Sequence, residues 1–234
     1  MQDLFVPLAI FNNKPGEDKV ILERYEEPAW NNPVVRYFTG DQRELLERKD
    51  RVWGLGQHAE RMALALEKAG KQTPKYLDIV RAESTSKELK RAIFSMACYW
   101  KGEAFFGGLE AVQRTAAGWL EGQEVVEVFY DPKVMELSDL VRAARAKSCA
   151  NRVWVTQEDQ LAAAQAAAGS QVKVERGSPR EAKTSDRKFH LRRSPVQYLD
   201  LTPLQATRAN SLLEKRASVD AILSPVQRRM LEQI

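Results

Sequence analysis

Residues 91–103 read RAIFSMACYWKGE. The first seven are strand-like and those after Cys98 are helix-forming, so the thiol is expected where a strand passes into a helix. A helix N-terminus offers unpaired N–H groups and a partial positive charge, which stabilise a thiolate. Lys101 adds a full positive charge in the same first turn. The pattern predicts a reactive cysteine; the alternative interpretation is a buried, inert thiol.

Three close neighbours of Cys98 carry side chains suited to a substrate site. Glu103 supplies a carboxyl group that is a candidate proton donor, or that holds the helix N-terminus. Tyr99 and Trp100 provide aromatic walls able to hold an apolar methyl or thioether group. If Cys98 is reactive, the residues around it could therefore supply a carboxyl group and a pocket for an apolar group.

The chain on both sides of this junction alternates between strand and helix periods. We predict strands and helices in the order β-α-β-β-α-β, followed by a closing helix, at residues 91–97, 103–112, 114–120, 124–130, 137–147, 152–156 and 158–168. That order is typical of a split βαβ, ferredoxin-like sandwich. The fold class predicted for residues 90–170 is therefore α/β, of the α+β kind.

The N-terminal part of the chain predicts a separate small α/β scaffold domain at residues 1–80. Its apolar and turn patterns indicate strands at 4–11, 18–25 and 34–38 and a helix at 55–69. This order is compatible with an incomplete thioredoxin-like unit, but the sequence contains no Cys-x-x-Cys pair, so no redox role is expected for it. The polar residues 81–89 are interpreted as a linker or a short helix.

The C-terminal part, residues 171–234, is basic, with 13 Lys and Arg against 7 Asp and Glu. Residues 177–188 are predicted to be a mobile polar connector. Thr202-Pro203 and Ser224-Pro225 each combine an N-cap with proline at the first helical position, which predicts short helices at 203–216 and 225–233. Because no aromatic interleaving or recognition motif accompanies the charge, a basic surface packed on its neighbour is favoured over nucleic-acid binding.

Composition excludes several protein classes. Among 234 residues, 44% are hydrophobic and 29% charged, with a net charge of +4, which argues against wholesale disorder. No apolar run approaches the roughly 18 residues of a membrane span. The two cysteines are too few for a disulfide scaffold or a cysteine-based zinc site, and His58 and His190 lack ligand-spaced partners, so no metal site is predicted.

The N-terminus lacks the basic, apolar and small-residue regions of a signal peptide. A cytoplasmic, reducing setting is the default expectation, although a chain from which a signal peptide had been removed would read the same.

Residues 98–103, CYWKGE, resemble the Gly-Cys-Phe-Trp-Gly-x-Glu motif of the peptide methionine sulfoxide reductase A family. The similarity continues in residues 109–119, in the segment EVVEVFYDP at 124–132, and in residues 152–160. It covers about residues 90–168 in the family's order. The resemblance implies the split βαβ sandwich of that family, in agreement with the fold predicted from periodicity.

The resemblance also implies a reaction and its residues. Cys98 is the expected nucleophile, attacking the sulfur of a methionine sulfoxide, in a peptide or a small molecule, to form a sulfenic acid. Cys149 is the expected resolving thiol, and an external thiol reductant such as thioredoxin completes the cycle, with no bound cofactor. Tyr99 and Trp100, together with Trp119 in place of a family tyrosine, are the expected substrate-binding residues.

The sequence departs from the family pattern around this site. Ala97 and Lys101 replace motif glycines. Only five residues separate Gly118 from Glu124, so we expect the family's long loop, with its catalytic glutamate, to be absent. Glu103 or Glu121 is the expected substitute as proton donor. Cys149 stands where the family has another, longer loop.

Two non-enzymatic hypotheses compete with the reductase. In one, the chain is a redox sensor or interaction module in which a Cys98–Cys149 disulfide switches a partner surface. In the other, the two thiols bind a soft metal ion such as Cu(I).

Overall fold

The computed structural model describes residues 4–27, 33–85, 88–147, 150–168, 172–174 and 178–234. The chain divides into two units, Met1–Ser84 and Thr85–Ile234. Helices and mainly antiparallel strands occur in both, so the mixed α+β class expected from the sequence is confirmed.

The first unit contains a two-stranded antiparallel sheet and helices among its described residues. Its elements are α1 (Glu17–Arg24), β1 (Val35–Phe38), β2 (Glu44–Lys49), α2 (Leu55–Lys68) and α3 (Lys75–Thr85). The apolar stripe of α2 packs with Tyr37 of β1 and Leu77 of α3 to form a small core. The predicted strand at 34–38 and helix at 55–69 are confirmed.

The predictions of strands at residues 4–11 and 18–25 in this unit are wrong. Residues 18–25 lie within or beside α1, where Glu17 and Asp18 stand in the first turn and Arg24 in the last, the charge order that suits a helix dipole. Residues 4–11 form neither helix nor strand. Leu4 and Phe5 pack against the small core whereas Val6 is 97% exposed, so apolar character alone does not make this stretch a strand. β2 and α3 were not predicted, apart from the short helix considered at 81–89. The thioredoxin-like arrangement stays a prediction.

The second unit is built on a six-stranded sheet, counted over the described residues. Its strands and helices through residue 181 are β3 (Lys90–Ser95), α4 (Tyr99–Gly107), β4 (Val112–Leu120), β5 (Gln123–Tyr130), α5 (Leu137–Ala146), β6 (Val153–Val155), α6 (Leu161–Ala168), β7 (Val172–Val174) and β8 (Arg180–Glu181). The strand order is β7-β6-β3-β5-β4-β8. β5 lies between β3 and β4 and is antiparallel to both. Helix α4 connects β3 to β4 along the chain.

The two faces of this sheet bury different side chains. Along β3, Ala92 and Phe94 face the main core, which α4, α5 and α6 cover. Ile93 points the other way, into a smaller cluster with Val125 and Trp154. This alternation is what a strand period of two requires. The predicted order of strands and helices over residues 90–168 is thereby confirmed.

A tight hairpin sets the register that matters for the site. Glu121 and Gly122 both have left-handed backbones, with φ of 49° and 76°, and they join β4 to β5 in a two-residue turn. β5 therefore begins beside the end of β3, where the Met96 N–H donates to the Glu124 carbonyl at 2.8 Å.

The C-terminal residues pack onto the same unit. The expected helices are confirmed as α7 (Pro203–Glu214) and α8 (Pro225–Leu231), capped by Thr202 and Ser224. The prediction that residues 177–188 form a mobile connector is wrong for the described part, 178–188. There, β8 pairs with β4, and Lys188 reaches the core. The stretch is held by the β8–β4 strand pairing and by the buried ammonium group of Lys188. Amino-acid composition reveals neither of these contacts.

Candidate active site at Cys98

Cys98 occupies the N-cap position of α4. Its backbone is extended, with φ of −154° and ψ of 113°, and its carbonyl accepts the first helical hydrogen bond, from the Gly102 N–H at 3.1 Å. The side chain is a free thiol in a half-buried residue. The predicted strand-to-helix junction is confirmed, although the helix starts at Tyr99 rather than at residue 103. The thiol thus belongs to the positive end of α4.

A carboxylate from the neighbouring strand reaches the same helix end. Glu124 Oε2 accepts a hydrogen bond from the backbone N–H of Tyr99 at 2.7 Å. At this distance it is a short hydrogen bond for an N–H donor. Because Tyr99 follows Cys98 directly, the Glu124 carboxyl group lies at the helix terminus that carries the thiol.

The three aromatic residues expected to bind substrate lie in one cluster with Tyr99 at its centre. The Tyr99 ring lies 6.1 Å from the Trp100 ring and 5.9 Å, edge to face, from the Trp119 ring. Tyr99 is buried, whereas Trp100 and Trp119 are half-buried. The structure therefore brings an aromatic surface to the first turn of the helix that begins after Cys98.

The hydroxyl group of Tyr99 is held by the C-terminal part of the chain. It donates a hydrogen bond to Asp186 Oδ2 at 3.3 Å. Burial raises the pKa of Tyr99, and the charges of Asp186, Glu124 and Cys98 raise it further. The phenol is therefore neutral at physiological pH and can act as a donor.

Glu103 lies deeper in the protein, in a buried ion pair. Its side chain is 0% exposed and accepts hydrogen bonds from the Lys188 ammonium and the Lys188 backbone N–H, each at 2.7 Å. Thr115 Oγ1 donates a third, at 3.2 Å. Burial lowers the pKa of Lys188, and Glu103 opposes that shift. These contacts give Glu103 an anchoring role between α4, β4 and the C-terminal residues.

Two other charged groups considered near the thiol, Glu121 and Lys101, have exposed side chains. Glu121 sits at the exposed β4–β5 turn, where hydrogen bonding from Lys173 lowers its pKa despite some desolvation. Lys101 is exposed on α4. Cys149 falls outside the described residues, so its predicted role as the resolving thiol stays a prediction.

Sequence reasoning missed four residues of this site. Glu124 is the first residue of EVVEVFYDP, a segment that resembles the reductase family, so this resemblance could have pointed to Glu124 as a site residue. Asp186, Lys188 and Phe189, whose ring stacks on Trp100 at 3.8 Å, had no such signal, because they lie in a polar stretch more than 60 residues after the hairpin.

Over the described ranges, no group of three or more His, Cys, Asp and Glu side chains is placed to hold a metal ion. Nor does any helix there have the length and apolar content needed to cross a bilayer.

No protein-family model matches this chain. One curated protein similar to it is peptide methionine sulfoxide reductase A5 of Arabidopsis thaliana, with 32% identity over 72 residues. The match covers 25% of this chain and 28% of that protein, so the chain spans little more than a quarter of the relative's length. The match indicates that a segment of this chain is similar to part of a methionine sulfoxide reductase.

Proposed function

We propose that this protein is a thiol oxidoreductase that reduces methionine sulfoxide, in the S-epimeric form, within peptides or as a small molecule. The observation that carries the proposal is the meeting of Cys98 and Glu124 at the N-terminus of α4. The helix end brings backbone N–H groups and a partial positive charge to the thiol, and the Glu124 carboxyl group is bonded to the first N–H of the same helix turn.

In the first step, the Cys98 sulfur attacks the sulfoxide sulfur. Reduction of the substrate transfers its oxygen to the cysteine, so one thiol and one sulfoxide become one sulfenic acid and one thioether. The sulfoxide oxygen must be protonated as its bond to the substrate sulfur breaks. We assign this transfer to Glu124, whose carboxylate takes up the proton that the Cys98 thiol loses and passes it to the sulfoxide oxygen. Glu103 is not assigned this role, because it is fully buried and bonded to Lys188.

The next steps restore the thiol. The sulfenic acid condenses with a second thiol, releasing water and forming a disulfide, and Cys149 is the proposed partner. An external dithiol such as thioredoxin then exchanges with that disulfide, leaving two protein thiols and an oxidised reductant. Overall, one sulfoxide and two reductant thiols become one thioether, one disulfide and one water.

The fold and the aromatic cluster support the same proposal. Strands β3 and β4 flank β5 with α4 as their connection, which is the order of a split βαβ unit and supports the proposal of a reductase A type of sandwich. Tyr99, Trp100 and Trp119 form an apolar surface suited to the methyl group beside the sulfoxide. The partial similarity to the Arabidopsis reductase favours the same reaction.

The test is turnover of N-acetylmethionine S-sulfoxide by the full chain, with dithiothreitol or thioredoxin as reductant. We expect Cys98→Ser to abolish turnover with both reductants. Cys149→Ser is the matched control: it should keep turnover with dithiothreitol, which attacks the sulfenic acid directly, and lose it with thioredoxin. A wild-type chain that reduces no sulfoxide contradicts the proposal. If such a chain still forms the Cys98–Cys149 disulfide after mild peroxide, the result favours the redox sensor.

A further inference from the structure

The ring of Phe189 is held between two groups. It stacks on Trp100 with ring centroids 3.8 Å apart and planes 17° from parallel. The guanidinium carbon of Arg193 lies 3.7 Å from the centre of the Phe189 ring. Indole, phenyl ring and guanidinium therefore form a three-layer stack, in which aromatic and cation–π attraction act together.

Packing is what orients the Trp100 indole. Its ring nitrogen Nε1 is buried and has no hydrogen-bond partner among the described residues. A tryptophan without that polar attachment keeps its orientation through the surfaces it touches. The closest ring on Trp100 is Phe189, so this side chain is the main fixed surface for the indole.

The residues around Phe189 are themselves anchored. Lys188 is bound through its ammonium and its backbone N–H to Glu103, and its ammonium also donates to Thr115. On the other side, Asn210 Oδ1 accepts hydrogen bonds from the N–H groups of His190 and Leu191, at 3.0 and 3.2 Å. Phe189 thus extends from a backbone that is held on both sides.

We propose that residues 184–193, here called the wall segment, position the aromatic surface of the Cys98 site. Within it, Phe189 is the positioning residue for Trp100 and Asp186 is the positioning residue for Tyr99. Lys188 and Glu103 attach the wall segment to α4. The role in catalysis rests on the proposed function, whereas the role in fixing Trp100 does not.

The experiment compares three substitutions of Phe189. Phe189→Ala removes the stacked ring, Phe189→Leu keeps apolar volume without the ring, and Phe189→Tyr restores the ring. Tyr198→Ala is the matched control, because Tyr198 is another C-terminal aromatic residue but is 69% exposed. Thermal melts of all variants establish which of them fold.

The first readout is the proton–nitrogen spectrum of the indole N–H groups, with the Trp100 signal assigned by Trp100→Phe. Phe189→Ala and Phe189→Leu should shift the Trp100 signal, since the ring current at 3.8 Å is lost. Phe189→Tyr should return it close to the wild-type position, and Tyr198→Ala should leave it unchanged. An unchanged Trp100 signal in folded Phe189→Leu overturns the proposal.

The second readout is the kinetics of sulfoxide reduction. Loss of the stacked ring should raise KM by about two- to tenfold with a smaller change in kcat, and Phe189→Tyr should rescue it. A KM unchanged in Phe189→Leu overturns the positioning role in catalysis. If the wild type has no turnover, the proposed function fails, while the indole spectra still decide whether the wall segment fixes Trp100.

Discussion

The carboxylate of Glu124 accepts a hydrogen bond from the backbone N–H of Tyr99, at 2.7 Å. This contact joins the beginning of β5 to the beginning of α4. It satisfies one of the N–H groups that a helix leaves unpaired at its N-terminus, and Cys98 has no side-chain cap bond there. In the proposed mechanism the same carboxyl group has two roles: it caps the helix, and it carries the proton from the Cys98 thiol to the sulfoxide oxygen.

Substitutions of Glu124 separate these two roles. Glu124→Gln keeps a carbonyl acceptor for the Tyr99 N–H but has no acidic proton. We expect turnover to fall by about 10²- to 10⁴-fold, the usual contribution of a general acid, with little loss of stability. Glu124→Ala should lose turnover similarly and also destabilise the fold by about 0.5–2 kcal/mol, as the loss of a helix cap does.

Sulfoxide turnover and urea unfolding measure the two effects. Glu136→Gln is the matched control, because Glu136 is an exposed glutamate at the N-cap of α5 without a side-chain cap bond. It should leave both quantities unchanged. Wild-type turnover in Glu124→Gln would remove Glu124 from the chemistry and leave it a cap.

The buried ion pair of Glu103 and Lys188 should behave as a coupled unit. Lys188→Met leaves a carboxylate buried without its counter-charge, so we expect a loss of about 3–5 kcal/mol in the free energy of unfolding. Glu103→Leu alone should be similarly costly. The double variant Glu103→Leu/Lys188→Met should lose much less than the sum of the two, because no unpaired charge remains.

An ion pair on the protein surface provides the control for this double-mutant comparison. Lys90 and Asp159 form an ion pair whose side chains are 33% and 62% exposed. Lys90→Met should change the free energy of unfolding by less than about 1 kcal/mol. Additive losses at Glu103 and Lys188 in urea unfolding would contradict the coupling.

Because the pKa of Tyr99 is raised in the folded protein, we expect the protein to become less stable at alkaline pH. Burial, aided by Asp186, raises its pKa above the ordinary value of 10.0. The unfolded chain then loses the phenolic proton at lower pH than the folded protein, so this group reduces stability as the pH rises above 10. In ultraviolet titration, the Tyr99 signal, identified by Tyr99→Phe, should appear above pH 10. Asp186→Asn should lower that pKa, and a Tyr99 pKa unaffected by Asp186→Asn would contradict the contact.

The opposite end of α4 depends on Arg208 from α7. Its guanidinium donates hydrogen bonds to the carbonyls of Gly107, Leu109 and Glu110. Burial lowers the pKa of Arg208 to about 10, so the group is still charged at neutral pH. Arg208→Met should destabilise the protein by about 1–3 kcal/mol in urea unfolding, because the partly buried carbonyls of Gly107 and Leu109 lose their donor. Arg142→Met, at a mostly exposed arginine on α5, should change stability by much less.

Much of the second unit could be predicted because its pattern is local. The strands and helices between residues 90 and 168 follow hydrophobic periods of two and 3.6, and α7 and α8 begin at Thr-Pro and Ser-Pro pairs. The first unit was harder. Glu17–Arg24 forms a helix with no buried residue, so no apolar stripe marked it. The apolar residues 4–11 lie outside any strand, with Leu4 and Phe5 packed against the core and Val6 and Leu8 exposed.

The sequence by itself determined the junction that places Cys98 before α4, because strand period, helix period and the cysteine all lie within thirteen consecutive residues. It also placed Tyr99, Trp100 and Glu103 in the first turns of that helix. Tertiary structure alone decided what each of these side chains meets. Glu103 pairs with Lys188, 85 residues away, and Trp100 stacks on Phe189. Glu124, which follows the β4–β5 hairpin, bonds to the first N–H of α4. Local propensity acts over one helix turn, whereas buried charge and aromatic stacking act between segments that only folding brings together.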